Sequence, residues 1–328
     1  MKKITILIVF VCIVLNVQSQ ILLQESFDGI TFAPTGWSNA RILPSVSTST
    51  GIWDRATQST NPTFNPRSGA AMARFNSWNI SSNTESELIT PAINLSGGGS
   101  YRLRFWIYRH STNSLNEDKL DVYINTQTNI TGALKLKTYF VSRLKTPMEM
   151  ADGWYEVLVD IPASYNSSTN YIVFRATSKG ANAVCIDDVT VETATCFVPV
   201  SPTVANVAQT SANINWQAPA NGSPLGYEWE IRTVGSPGTG TAGLVKSGST
   251  ATGVTTEAVA GLTRGISYSL YVRSSCGTEK STWSDAVPFT TTCSAFTIPY
   301  NENFDAVSTG LPSCTSVENL NGGNQWSS

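Results

Sequence analysis

The chain has 328 residues, with 21 Lys and Arg residues against 23 Asp and Glu residues, so its formal net charge is −2. It contains no basic tract and no basic-aromatic stripe, so nucleic acid is not expected as a partner. Only 13% of the residues are charged, and short β-branched and aromatic runs alternate with clusters of Gly, Asn, Ser and Pro. This composition predicts extracellular all-β modules, and the length predicts about two to three domains.

The N-terminus has the pattern of a secretory signal peptide. Lys2 and Lys3 are followed by an apolar run over residues 4–17 and then by the small residue Ser19. This is the order of a charged region, a hydrophobic region and a cleavage site. The alternative is a membrane anchor, but the run is shorter than the roughly 20 residues needed to cross a bilayer. We therefore expect residues 1–19 to be removed and the mature chain to be secreted or held at the cell surface, without a membrane span.

Residues 20–195 predict a β-sandwich of the jelly-roll type. Several segments alternate apolar and polar residues with a period of two, which places one face of each strand on a core. Many such strands joined by polar loops are typical of a two-sheet sandwich. The segments are residues 23–27, 101–108, 119–125, 154–161, 171–176 and 184–191.

Two carboxylates occupy positions where this alternation expects apolar side chains. Glu25 shares a face with Leu23 and Phe27, and Asp187 shares a face with Cys185 and the valines of the last strand. An inward carboxylate is costly unless it is paired or bound to a cation. If the first and last strands are neighbours, the two carboxylates predict a structural calcium site, because oxygen ligands in an extracellular domain favour calcium.

The predicted calcium ligands are Glu25, Asp187 and Asp28, with less support for Asp188 and Asn76. Two alternatives remain open. Each carboxylate could accept backbone N–H groups at a strand end, or the assignment of faces could be wrong by one residue.

Three aromatic residues predict a ligand-binding surface. Trp106, Tyr108 and Tyr123 point away from the predicted core, and Trp78 lies in a loop. Outward aromatic rings of this kind can stack on sugar rings or contact another protein. The alternative is that they line the interface with the second sheet or lie beneath long loops.

The first module resembles the cleaved-adhesin domains of secreted Bacteroidetes proteins, which are related to MAM domains. The resemblance covers residues 20–193 and implies a jelly-roll sandwich, often with structural calcium, used as an adhesive or accessory module. The motifs that carry it are Glu-Ser-Phe-Asp (25–28), Pro-Thr-Gly-Trp (34–37), the segment 86–96, the strand 101–108 and Cys-Ile-Asp-Asp-Val (185–189).

The opening motif returns near the end of the chain. Glu-x-Phe-Asp occurs at residues 25–28 and again at 302–305, and a turn and a tryptophan, Trp53 or Trp326, follow each copy. Internal repeats of this kind define module boundaries. Residues 293–328 are therefore predicted to be the truncated start of a second jelly-roll domain.

Residues 196–292 resemble a fibronectin type III domain, an immunoglobulin-like sandwich of about seven short strands. Trp216 matches the core tryptophan of the second strand, and Leu262, Gly265 and Tyr268 match the corner before the sixth strand. The resemblance implies a spacer role rather than chemistry. No Arg-Gly-Asp occurs in the module, so the sequence gives no support for integrin-type recognition.

Five cysteines remain after the loss of Cys12, and disulfides are expected in an oxidising compartment. The type III resemblance implies that Cys196 pairs with Cys276 at one pole of the sandwich. Cys293 and Cys314 are the second implied pair, which leaves Cys185 as a buried thiol. Four cysteines allow three connectivities, so the sequence leaves the others open. No Cys/His cluster occurs, so zinc is not expected.

The sequence does not predict an enzyme. His110 is the sole histidine and is expected in an exposed loop, and no Gly-x-Ser-x-Gly motif occurs. The predicted function is a secreted, non-catalytic adhesion or binding module of a multidomain surface protein, with a glycan or protein ligand. The alternative is an accessory and spacer region of a larger secreted hydrolase, a peptidase or glycosidase, whose catalytic domain is absent from this chain.

Overall fold

The computed structural model describes residues 20–42, 51–78, 80–111, 118–145, 148–180, 182–220 and 222–294, together with Asn301, Asn303, Asp305, Leu311, Cys314 and Thr315. The predicted signal peptide, residues 1–19, and most of the predicted second jelly-roll start, residues 293–328, lie outside the described residues. The described part is all-β, and its only helix is one 3-10 turn, Ala163–Tyr165. This confirms the predicted fold class.

The strands of the first sandwich alternate inward apolar and outward polar residues. Their bounds are β1 (Ile21–Glu25), β2 (Ser38–Arg41), β3 (Trp53–Ala56), β4 (Ser59–Thr60), β5 (Thr63–Phe64), β6 (Met72–Phe75), β7 (Glu85–Ile89), β8 (Ser100–Arg109), β9 (Lys119–Asn125), β10 (Leu134–Phe140), β11 (Gly153–Ile161), β12 (Tyr171–Thr177) and β13 (Val184–Ala194).

Two antiparallel sheets face each other across the core. The front sheet has the order β11-β8-β13-β6-β3, with β1 also paired to β13, and the back sheet has the order β10-β9-β12-β7-β2. Side chains from both sheets fill the space between them, as Phe105 of β8 and Phe174 of β12 show with ring centroids 5.3 Å apart. Burial of this apolar surface is the main force that holds the sheets together.

A β-bulge in β13 changes one predicted face. The pairing of β13 with β8 shifts between Asp187 and Thr190, and Asp188 has a positive φ of 48°. Because an extra residue reverses the alternation, Val189 and Val191 point into the core but Asp187 does not. The prediction that Asp187 shares the face of these valines is therefore wrong. β1 and β13 are neighbours as expected, with Glu25 opposite Val189.

The second sandwich has its own core and two sheets. Its strands are β14 (Val200–Ala205), β15 (Ser211–Gln217), β16 (Gly226–Arg232), β17 (Leu244–Ala251), β18 (Thr256–Ala260), β19 (Ser267–Cys276), β20 (Glu279–Lys280) and β21 (Val287–Thr290). One sheet has the order β14-β15-β18. The other has the order β17-β16-β19-β20, with β21 also paired to β19. Trp216 lies in the core between the sheets with 4% of its surface exposed.

The predicted corner of the second sandwich is built around Tyr268. The Tyr268 hydroxyl accepts the N–H of Thr263 at 2.9 Å and donates to the carbonyl of the same residue at 3.3 Å. The two implied disulfides are present: Cys196 bonds to Cys276, and Cys293 bonds to Cys314. Cys185 is a free, buried thiol, and burial raises its pKa.

Candidate functional site

A cover segment, residues 58–71, lies over the outer face of the front sheet. Phe64 of this segment stacks on Tyr108 with ring centroids 3.5 Å apart, and it meets Trp154 edge-on. The Trp154 Nε1–H donates to the carbonyl of Asn65 at 3.0 Å. The segment therefore forms a second, smaller core on this face, in which Phe64 is only 8% exposed.

The same segment also reaches Trp106. The guanidinium of Arg67 lies 4.3 Å from the centre of the Trp106 ring, which is within the range of a cation–π interaction. Two of the three predicted ligand-binding aromatics, Trp106 and Tyr108, thus lie beneath a long loop. This is the alternative that the sequence left open for them.

Three aspartates fix the C-terminal half of the cover segment. Asp28 accepts the N–H groups of Ala70 and Ala71 at 2.5 and 3.1 Å. Asp187 accepts the N–H groups of Arg67 and Ser68 at 3.0 and 3.4 Å. Asp188 accepts the Arg67 guanidinium and the Ser68 hydroxyl. The cover segment is therefore bound to β13 and to the residues that follow β1.

Gly69 allows this close approach. It has a positive φ of 59°, and a Cβ at this position would lie 2.1 Å from the Asp28 Oδ2 atom. A side chain is therefore excluded on both conformational and steric grounds. The hydrogen bond from Ala70 lowers the pKa of Asp28, an effect that burial opposes.

The pKa of Asp187 is shifted in the opposite direction to that of Asp28. Its side chain is fully buried. Burial raises its pKa to about 7, although the N–H of Asp188 donates a hydrogen bond that favours the ionised form. The neighbouring charge of Asp188 raises the pKa further.

These carboxylates do not fit a calcium site in the arrangement that the structure shows. N–H, hydroxyl and guanidinium donors occupy the oxygens of Asp28, Asp187 and Asp188, and Glu25 accepts the N–H of Phe27 at 2.6 Å. Across the described residues, no group of three His, Cys, Asp or Glu side chains could hold one metal ion. The geometry supports the alternative that the carboxylates accept backbone N–H groups. The calcium ion stays a prediction.

The outer face of the back sheet carries ion pairs across neighbouring strands. Asp121 on β9 accepts the ammonium groups of Lys119 and Lys135 at 2.8 and 3.1 Å. Burial alone would raise the pKa of Asp121, but hydrogen bonds from Lys119, Thr138 and Lys135 together lower it. One carboxylate therefore faces two ammonium groups, which leaves this cluster with a net charge of +1.

A second cluster lies beside it in the same row. Arg175 on β12 is opposite Asp121 on one side and Glu87 on the other. Its guanidinium binds Glu85 at 3.0 Å and Glu87 at 2.5 Å. Together the two clusters pair three basic side chains with three acidic side chains across the four strands β10, β9, β12 and β7.

The next two rows of this face contain tyrosines. Tyr123 lies between Lys135 and Val173, and Tyr171 lies opposite Asn125. Both tyrosines are half-buried, and the Lys135 ammonium lies 5.3 Å from the Tyr123 ring centre. Tyr123 is therefore in a different sheet from Trp106 and Tyr108, so the three predicted aromatics do not form one surface. Sequence reasoning missed Tyr171, although the alternation of its strand places it outward.

His110 is not in an exposed loop, and that prediction is wrong. Its side chain is 1% exposed. Its N–H donates to the carbonyl of Val141 at 3.1 Å, and its carbonyl accepts the N–H of Arg143 at 2.9 Å. This pairing with the loop after β10 draws the histidine into the sandwich.

Buried polar contacts join the two sandwiches. Arg102 of β8 is 1% exposed. Its guanidinium donates to Asp160 at 2.8 Å, to the carbonyl of Cys196 at 2.7 Å and to the carbonyl of Lys280 at 3.4 Å. We call this contact, together with the Cys196–Cys276 disulfide, the joint. A second contact is exposed, where Lys137 binds Asp285 at 2.5 Å.

Solved structures similar to each sandwich exist. The K3 cleaved adhesin domain of Lys-gingipain from Porphyromonas gingivalis is 22% identical with a TM-score of 0.38, over 54% of this chain and 100% of that domain. The K1 domain of the same protein is 19% identical with a TM-score of 0.40, over 54% of this chain and 99% of that domain. A human fibronectin type III domain, from the protein KIAA0970, is 21% identical with a TM-score of 0.26, over 32% of this chain and 81% of that chain.

In this chain, each sandwich has two sheets, and the second sandwich contains the tyrosine corner at Tyr268 that its sequence predicted. The chain pairs a cleaved-adhesin-like sandwich with a fibronectin type III-like sandwich. No family model matches the chain, and no curated protein matches it.

No helix in the described ranges has the length and apolar character needed to cross a membrane. Two disulfides hold the type III-like sandwich, one at its junction with the adhesin-like sandwich and one beyond β21.

Proposed function

We propose that the adhesin-like sandwich is a non-catalytic binding module that holds an extracellular glycan chain on the outer face of its back sheet. The observation that carries this proposal is the pair of half-buried tyrosines, Tyr123 and Tyr171, in adjacent rows beside fixed ion pairs. Tyrosine rings present a flat apolar surface with a polar edge. Such a surface suits a sugar ring, which is apolar on its faces and polar around its rim.

The rigidity of this face favours binding. Asp121, Arg175 and their partners are hydrogen-bonded within the sheet, so little side-chain freedom is lost when a ligand arrives. Lys135 is 45% exposed at its side chain and lies beside Tyr123, where it can donate to a hydroxyl of the ligand.

The same pairing argues against hydrolysis at this face. A glycosidase needs one carboxyl kept protonated by a raised pKa and a second carboxylate across a cleft. Asp121 has a lowered pKa and two lysine partners. It therefore stays ionised and engaged.

We further propose that the chain acts outside the cell, as a secreted or surface-bound protein. Two disulfides in the type III-like sandwich support this location, because such bonds persist mainly in oxidising compartments.

A glycan array tests the proposed ligand. The full chain should bind a subset of glycans, and Tyr123→Ala and Tyr171→Ala should each weaken binding by roughly tenfold or more, about 1.4 kcal/mol. Trp78→Ala is the matched control, because Trp78 is 43% exposed in the loop before β7, and β7 starts opposite Thr177, at the other end of β12 from Tyr171. Failure of the wild type to bind any glycan, or equal binding by Tyr123→Ala, would remove the proposal.

The second candidate is an accessory and spacer region of a larger secreted hydrolase. The buried joint at Arg102 favours it, because this contact sets the orientation of the two sandwiches. Sequencing of the gene tests this role. An encoded peptidase or glycosidase domain beside these modules would support it, whereas a gene that encodes only further adhesin-like modules and a surface anchor would contradict it.

A further inference from the structure

The charges on the outer face of the back sheet lie at different depths. The side chains of Asp121 and Glu87 are only 4% and 2% exposed, whereas those of Lys119 and Lys135 are 30% and 45% exposed. Both ammonium groups bind Asp121, so the buried carboxylate lies under the cations that it pairs with. A ligand that approaches this cluster meets ammonium groups rather than a carboxylate.

The row of side chains that contains Tyr123 carries a single charge. From the edge strand β10 across to β2, the paired residues of this row are Lys135, Tyr123, Val173, Ile89 and Ser38. We call it the tyrosine row. Lys135 is the one charged residue among these five, and it lies next to the tyrosine.

The carboxylates of this face lie toward one end of the sheet, and Tyr171 lies toward the other. Asp121 and Glu87 are in the row next to the tyrosine row, and Glu85 is in the row beyond them. On the opposite side of the tyrosine row, Tyr171 pairs with Asn125, and both residues are uncharged. The end of the face with the two tyrosines therefore carries a positive charge and, along the strands that the structure describes, no carboxylate.

The loops at the Tyr171 end contain no carboxylate either. These loops precede β2 and β12 and follow β7 and β9, and they are residues 29–37, 162–170, 90–99 and 126–133. None of the four contains an Asp, Glu, Lys or Arg residue. A negatively charged ligand at this end therefore meets the Lys135 cation without repulsion from neighbouring acids.

Lys135 has hydrogen-bonding capacity left for a ligand. An ammonium group has three donors, and Asp121 accepts one of them at 3.1 Å. Because Asp121 also binds Lys119 at 2.8 Å, its single negative charge does not neutralise both cations. The Lys135 ammonium lies 5.3 Å from the Tyr123 ring centre, so a sugar ring stacked on Tyr123 places its substituents beside the ammonium group.

On the basis of the glycan-binding function proposed above, we propose that the ligand of this face is an acidic glycan. Its sugar rings lie on Tyr123 and Tyr171, which are diagonal neighbours on adjacent strands and thus about 7–8 Å apart. A carboxylate or sulfate group on one ring binds the Lys135 ammonium. Hydrogen bonds between charged groups are roughly twice as strong as neutral ones, so neutral glycans with the same rings bind more weakly.

A glycan array built from matched pairs tests this proposal on the full chain. In each pair one glycan carries a sulfate or a uronic-acid carboxylate, and its counterpart is the unsulfated sugar or the uronic-acid methyl ester. We expect the acidic member to bind roughly tenfold more tightly or better, about 1.4 kcal/mol. Raising the NaCl concentration from about 0.05 M to about 0.5 M should reduce this difference, because salt screens exposed charges.

Lys135→Gln is the decisive variant, because it removes the charge and keeps a polar side chain. It should weaken binding of the acidic glycans by roughly tenfold, about 1.4 kcal/mol, and so bring it down to the level of the neutral counterparts. Lys246→Gln is the matched control, since it removes the same charge from β17 of the type III-like sandwich. This control should bind every glycan like the wild type, and thermal melting shows whether both variants are folded.

Two results would overturn the acidic ligand while leaving glycan binding intact. One is equal binding of the acidic and neutral members by a chain that still loses binding in Tyr123→Ala. The other is unchanged binding of the acidic glycans by Lys135→Gln. An equal loss in Lys246→Gln would also overturn it, because attraction to lysines in general would then explain the binding. A chain that binds no glycan of either kind would instead remove the proposed function itself.

Discussion

On the front sheet Tyr108 lies beneath Phe64 of the cover segment, whereas on the back sheet Tyr123 is half-buried beside Lys135. Both tyrosines point outward from strands with the same alternation. On the front face the outward rings become part of a second core, closed by an insertion between β3 and β6. On the back face the outward groups are ion pairs and tyrosines held within the sheet.

The alternation of apolar and polar residues in a strand therefore determines the direction of a side chain but not which segment lies over it. Direction follows from the period of the strand. Coverage depends on which loop folds back, and the cover segment does so because Asp28, Asp187 and Asp188 bind its main chain and Arg67. An outward aromatic side chain can therefore be assigned to a ligand-binding surface only when it is known whether a loop covers it.

The largest expected effect concerns the end of the front face, where the type III-like sandwich covers Arg102. Arg102→Met should lower the free energy of unfolding by about 3 kcal/mol, because it leaves buried acceptors such as the Cys196 carbonyl without their donor. Arg104→Met is the control on the same strand and face. Its side chain is 37% exposed and pairs with Glu156 and Glu192, so its loss should cost about 1 kcal/mol or less. Urea denaturation measures both, and equal costs would contradict a buried joint.

Phe64 and Tyr123 compare the two faces directly. Phe64→Ala should destabilise the chain by about 3 kcal/mol, because Phe64 is 8% exposed and packs on Tyr108 and Trp154. Tyr123→Ala should cost only about 1 kcal/mol, since its ring is half-buried. The measurement is the shift in the urea midpoint. A larger loss for Tyr123→Ala would mean that the back face, rather than the front face, carries the second core.

The pH dependence of the free energy of unfolding tests the role of Asp187 beneath the cover segment. Its pKa in the folded chain is raised to about 7 from an ordinary value of 3.8. The stability that protonated Asp187 contributes is fully present below the ordinary pKa of 3.8, and it is lost as the pH rises through the folded-state pKa of about 7. We therefore expect the free energy of unfolding to fall by roughly 2 kcal/mol from about pH 5 to about pH 7.

Asp187→Asn should remove this fall, as measured by urea denaturation at constant ionic strength. Asp28, whose pKa is lowered, contributes in the opposite direction and at lower pH, so Asp28→Asn should leave the fall between these two pH values in place. An unchanged pH profile in Asp187→Asn would show that another group is responsible.

Calcium is expected to have the smallest effect. N–H groups and Arg67 already engage the aspartates of the front face. Adding about 2 mM calcium, a concentration at which extracellular modules bind it, should change the thermal midpoint by about 1 °C or less relative to EGTA. A rise of several degrees that Asp187→Asn abolishes would instead establish the predicted calcium site.

Much of the strand pattern could be predicted from the sequence. Lys119–Asn125 has the predicted bounds, and Ser100–Arg109 extends its prediction by one residue at each end. Leu134–Phe140 was not predicted, although its Leu-Lys-Leu-Lys start alternates. Leu244–Ala251 was not predicted because Ser, Gly and Thr dominate it and give no apolar face.

The candidate site was less predictable. The sequence indicated that Trp106, Tyr108 and Tyr123 point outward, but it did not show that the first two lie beneath Phe64 and Arg67. The bulge at Asp187 was also not visible, because a single residue in a left-handed conformation leaves no mark on the hydrophobic pattern. Disulfide pairing was predictable only through the type III resemblance, since spacing alone allows three connectivities.

On the type III-like side the guanidinium of Arg102 donates to two main-chain carbonyls, those of Cys196 and Lys280, and it also lies 3.7 Å from the carboxylate of Glu279. Every amino acid supplies such a carbonyl. We therefore expect the side chains of the type III-like sandwich other than Glu279 to change widely in evolution, or a related module to be exchanged by recombination, without loss of the two carbonyl contacts. The condition is that the Cys196–Cys276 bridge keeps both carbonyls at their present positions.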